Sequence, residues 1–205
     1  MRWMVVAALL AAVARWTVCE GSRLDTAGAL ALLRDRYGIT VTGAFTPLDV
    51  DHVLTFARQH RPMETHDLTF QFAKERISSG ANLGEWAVDG LAEIRSDRAD
   101  TVFHEGTHHI LEYDRNVRTR PMAALIYDAA KAAGGGKIPD CCYTRRYARY
   151  QRFEGDSAEF LAELVTGVAG LERGLPVETT IENRDFNPPE SVRRLVRALW
   201  APAAD

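Results

Sequence analysis

Three of the chain's six histidines fall within residues 104–109, in the stretch DTVFHEGTHHILEYD, with one glutamate directly after the first. His104 and His108 are four apart, so on a helix they share a face one turn above each other. Both imidazoles can then reach one ion, and Glu105 lies one step round from them. This is the H-E-x-x-H arrangement, in which two zinc ligands flank a general base. His109 points to another helix face and is read as a flanking residue. His52, His60 and His66 are scattered without ligand spacing. Thr101, Val102 and Phe103 lead in, Ile110 and Leu111 continue the apolar face, and Ser96 or Asp97 can cap the start. Gly106 weakens such a helix by ~1 kcal/mol relative to Ala.

A catalytic zinc takes three protein ligands and a water. One source of the third is the metzincin extension, in which a glycine turns the chain so that a later residue swings back. Here position 111 is Leu and position 114 is Asp, so Asp114 is the runner-up. The other source is a glutamate on a later helix, as in gluzincins. FEGDSAEFLAELVTG supplies Glu159 and Glu163 on one face, amid Phe160, Leu161, Ala162 and Leu164. Glu159 is expected to ligate, and Glu163 to accept the free N–H of a ligand histidine and fix its tautomer. Glu154, just before that helix, is a further candidate.

TVFHEGTHHI followed by AEFLAELVTG resembles the catalytic domain of anthrax lethal factor and its relatives, the Pro-Pro endopeptidases among them. The resemblance is confined to these two segments. It implies a zincin-like fold, one zinc held by His104, His108 and Glu159, and Glu105 as base. Those relatives place a tyrosine that donates to the oxyanion seven residues before the ligand glutamate, where this chain has Arg152. A small insertion would restore Tyr150 to that role; otherwise Arg152 would serve, or the oxyanion would rest on zinc alone. Tyr143, Tyr147 and Tyr150 also suit packing.

The chemistry expected is hydrolysis of a peptide bond, with water activated and a carbonyl polarised by one zinc ion. Glu105 takes the proton of the attacking water and passes it to the leaving amine, while Tyr150 donates to the oxyanion. An exported zinc endopeptidase acting on a protein or peptide is therefore the leading reading. Alternatives are a metzincin-like peptidase using Asp114 and a non-catalytic zinc- or partner-binding module. Against the last, a closed structural site has no use for the base Glu105.

The elements that must position these residues follow from the rest of the chain. Its 205 residues are 46% hydrophobic and 26% charged with net charge -3, enough for one domain with a core. No Lys/Arg run is dense enough to suggest nucleic acid as a partner. LDTAGALALLRDRYG reads as a helix capped by Asp25 or Thr26 and ended by Gly38, and ITVTG as a short strand. TPLDVDHVLTFARQH opens a helix with Thr46 and Pro47. DLTFQFAKER reads as a strand, and GEWAVDGLAEIRS as a hairpin about Asp89-Gly90 whose edge could pair with an extended peptide. The motif helix covers roughly 98–113. RPMAALIYDAAKAAGGG, DSAEFLAELVTGVAG and NPPESVRRLVRALW supply three more helices. Strands early and helices late mean α+β: a small N-terminal sheet with helices (about 21–114), then a helical C-terminal lobe (about 115–205).

Residues 1–20 read as a secretory signal, with Arg2, an apolar run from Trp3 to Ala14 and AVA at 12–14. The run is too short to span a bilayer, so a secreted or extracytoplasmic protein with no stable membrane span is expected; a buried N-terminal helix is the alternative. Cys19, Cys141 and Cys142 lack C-x-x-C spacing, and in an exported chain Cys19 could bridge to either of the others.

Overall fold

The computed structural model describes residues 25–77, 83–135, 157–174 and 188–200. The expectations for the leader, Cys19, Cys141, Cys142, Tyr143, Tyr147, Tyr150, Arg152 and Glu154 lie outside them. The described residues are mixed α+β, with six α-helices and one four-stranded mixed sheet.

Helix α1, Thr26–Tyr37, starts where the Asp25 carboxylate accepts the Gly28 N–H and stops at Gly38, left-handed at φ 64. Strand β1, Thr40–Gly43, follows. Helix α2, Pro47–Ala57, opens with a capping box: Thr46 and Asp49 satisfy each other's backbone N–H. Strand β2 is shorter than expected, Thr69–Phe72. Beyond it the chain leaves the sheet, and the Arg76 guanidinium donates to the carbonyls of Ser96 and Ala44 and to buried Asp49. Strands β3, Gly84–Trp86, and β4, Leu91–Ile94, form the hairpin, with Gly90 at φ 93.

The sheet order is β1-β2-β4-β3. β1, β2 and β4 run parallel, and β3 lies antiparallel at the edge with Gly84 opposite Ile94 and Trp86 opposite Ala92. Helices α1 and α2 cover this sheet through a core that includes Leu33, Val53, Phe56, Phe70 and Ile94.

Helix α3, Ala99–Glu112, carries the motif. Neither Ser96 nor Asp97 occupies its N-cap. Arg98 does, without a side-chain cap; the Ser96 hydroxyl accepts the Arg98 N–H, and Arg98 pairs with Asp100 in the first turn. Asn116 closes the other end by donating to the carbonyls of His109 and Glu64. Helix α4 spans Arg120–Ala133, α5 Ser157–Arg173 and α6 Glu190–Arg197. α5 continues past Gly167 and Gly170, since Val165, Val168 and Ala169 keep its apolar face buried. These three helices enclose a second core with Leu111, Phe160, Leu164, Val192 and Trp200. α3 feeds both cores: Val102, Phe103 and Ile110 pack into the first, Leu111 into the second. Among the described residues no helix is long and apolar enough to cross a membrane.

Candidate metal centre

The motif helix can be buried on several sides because one of its residues lacks a side chain. A Cβ on Gly106 would lie 2.4 Å from the Phe56 ring of α2. That ring is fully buried and meets Phe70 and Phe103 edge-on, so it cannot retreat. The glycine that weakens α3 as a helix thus lets it dock, and docking presents His104, Glu105 and His108, each under a tenth exposed, to α5 and β3.

Glu159 of α5 stands against both imidazoles. His104 Nε2 is 3.0 Å from Glu159 Oε2, His108 Nε2 is 3.3 Å from Glu159 Oε1, and the two Nε2 atoms are 3.1 Å apart. Donors around a small tetrahedral dication with bonds of about 2.0–2.1 Å lie ~3.3 Å from one another. The three residues fit that spacing. Their outer nitrogens are also held: His104 Nδ1 lies 3.2 Å from Glu163 Oε2, and His108 Nδ1 contacts Glu112 Oε1. An Nδ1–H that donates to a carboxylate leaves Nε2 with its lone pair facing the centre.

Charge agrees with geometry. Burial opposes protonation of His104, but hydrogen bonds to Glu159 and Glu163 outweigh it and hold its pKa well above the usual value. His108 is raised to about 9: burial opposes the charge, and Glu112 and Glu159 overcome it. Burial would raise Glu159, yet the two histidines hold it well below the carboxylate range. The carboxylates around these rings therefore favour positive charge between them, which a divalent cation supplies when it displaces the protons.

His104, Glu105 and His108 could hold a metal ion, their ligand atoms all lying within 4.8 Å of one another. Glu105 differs from Glu159 in its surroundings. Its carboxylate has no hydrogen-bond partner among the described residues, and it is packed against Gly84 of β3 and Thr101, one turn back on α3. Burial pushes its pKa up. Trp86, two residues on, lies parallel to His108, with ring centroids 6.2 Å apart and planes within 10°.

Asp114 is not brought to this centre: its side chain is 84% exposed and pairs with Arg120. His109 faces away, its Nε2–H donating to the His66 carbonyl and its ring stacked on Tyr113 at 4.4 Å, and burial lowers its pKa to about 4. His60 is buried in the first core's surroundings beside Phe56. Glu112 is the residue that sequence reasoning passed over. The available sign was its spacing, four residues after His108, where a carboxylate shares the face of the second imidazole. No family model, curated protein or solved structure matches the chain.

Proposed function

We propose that the chain is a zinc-dependent peptidase with a zincin-like fold, acting as an endopeptidase on extended protein or peptide substrates. The observation that carries this reading is the triangle of His104, His108 and Glu159, with edges of 3.0–3.3 Å, beside a buried glutamate that takes no part in it. Zinc at that triangle would activate water and polarise a carbonyl oxygen.

The chain's own groups supply the rest. Glu105, with its pKa raised by burial, accepts a proton from water and returns it to the leaving amine. Glu163 and Glu112 fix the tautomers of His104 and His108. β3 ends the sheet beside α3, so its outer edge can align an extended backbone across Glu105. Tyr150 is the proposed oxyanion donor and Arg152 its substitute. The leader-like N-terminus supports export.

The test compares zinc content and cleavage of a mixed peptide library for the leader-free protein, Glu105→Gln and Glu159→Ala. The expected result is one zinc and cleavage in the wild type, zinc without cleavage in Glu105→Gln, and loss of zinc in Glu159→Ala. Normal binding and cutting by Glu159→Ala would remove Glu159 as the third ligand. Zinc binding without cleavage by the wild type across broad libraries would favour a binding module.

A further inference from the structure

We propose that Gly84, on the edge strand, is a positioning residue for Glu105: its bare Cα leaves the space in which the base lies along β3. The inference rests on the peptidase reading for its catalytic meaning, but its structural content stands alone. A Cβ at position 84 would lie 2.6 Å from Glu105 Oε1, 2.7 Å from Glu105 Cγ and 2.8 Å from Thr101 Cγ2. Thr101 and Glu105 are one helical turn apart on α3, so the glycine sits across the groove between them.

Backbone conformation does not explain this glycine. The positive-φ glycines of the chain are at other positions, Gly38, Gly43 and Gly90 among them. Space is what position 84 supplies. Nor can the strand retreat, since β3 is fixed to β4 in register and the Arg95 N–H donates to the Leu83 carbonyl just before it.

Glu105 needs such support because no hydrogen bond among the described residues orients its carboxylate, although the residue is only 6% exposed. Ligand imidazoles are held by Glu163 and Glu112; the base is held by packing. The inward face of β3 thus alternates the smallest residue, set on Glu105, with the largest, Trp86, set on His108. Added bulk at 84 meets two side chains. Thr101 has one torsion that can shift its methyl, whereas the longer Glu105 side chain has three and can swing its carboxylate away. The base gives way.

The experiment uses the full zinc-loaded chain and Gly84→Ala. The expected result is a kcat lowered at least tenfold with KM and zinc stoichiometry unchanged. Independently of activity, the 13C carboxyl resonance of Glu105, assigned with Glu105→Gln, shifts in Gly84→Ala. A double-mutant cycle with Glu105→Ala, which removes the γ-carbon and the carboxylate oxygen that the new methyl would meet, is expected to show a smaller drop in urea midpoint for Gly84→Ala in that background. Unchanged kcat with an unmoved resonance, additivity in the cycle, or loss of zinc in Gly84→Ala overturns the inference. So does a Gly84→Ala chain that fails to fold in both backgrounds, whereas folding only with Glu105→Ala supports it. A wild type that cuts no peptide defeats the peptidase reading, and the resonance and the cycle still decide the role of Gly84.

Discussion

Gly106 and Phe56 touch so closely that a single methyl between them would sit 2.4 Å from the ring. The contact joins the helix that carries the candidate metal ligands to a helix that covers the sheet. Gly106→Ala should therefore destabilise the fold by about 1–3 kcal/mol through overpacking, despite the ~1 kcal/mol it gains in helix propensity. Urea unfolding measures the balance, and a stabilised variant would show that α2 and α3 can part without cost.

Glu112→Gln should weaken zinc binding about 10–100-fold, because outer partners of ligand imidazoles carry that much affinity. Glu163→Gln should do the same through His104. Chelator competition reads both constants, and circular dichroism should show the fold retained. Unchanged affinity in either variant would mean that its carboxylate does not orient the ring it touches.

Burial and nearby Arg173 lower the pKa of His60 to about 3. In the unfolded chain the same group titrates near the ordinary value of about 6.5. Below that pH the unfolded state binds the proton and the folded state does not, so stability falls as pH drops from about 6.5 towards 3. At pH 5 the loss from this residue is about 2 kcal/mol relative to pH 7. Comparing urea midpoints at the two pH values for wild type and His60→Gln isolates the effect. An equal acid sensitivity in both proteins would remove His60 as its source.

Arg76 is 14% exposed and pairs at 3.0 Å with Asp49, which is 3% exposed. Arg76→Met removes the ion partner of that carboxylate, which keeps the Thr46 N–H and hydroxyl, and leaves the Ser96 carbonyl without its donor, so a loss of about 1–3 kcal/mol is expected. Replacing Asp49 as well, in Arg76→Met/Asp49→Asn, should recover part of it in the same unfolding assay. Failure of the second change to help would place the cost in the carbonyls of Ser96 and Ala44.

Much of this was legible in the chain because local rules acted alone. Asp25 and Gly38 bound α1, Thr46 and Pro47 start α2, and Asp89-Gly90 turns the hairpin, each through a short-range conformational preference. The four-residue spacing of Glu159 and Glu163 likewise put both carboxylates on one face of α5. What escaped depends on partners distant in sequence. Nothing within residues 99–112 reveals that Gly106 receives Phe56, and nothing near β3 reveals that Gly84 meets Glu105. The parallel order β1-β2-β4 depends on the crossover through α2 between β1 and β2 and on β3 taking the outer edge, which no single strand's residues display. Glu112 gains its role only from the orientation of the His108 ring, which places Nδ1 beside its carboxylate.

The origin of the three donors has a consequence for biosynthesis. His104 and His108 belong to a continuous stretch with the hairpin, whereas Glu159 arrives from α5, whose apolar face closes the second core. A nascent chain therefore displays two imidazoles well before the third donor exists, and two neutral ligands hold an ion far less firmly than three with a carboxylate. Tight capture of the ion waits for long-range docking, which is the slow class of folding event. On the peptidase reading the centre would be a checkpoint: a molecule would become loaded, and competent for hydrolysis, only after both cores have assembled around α3.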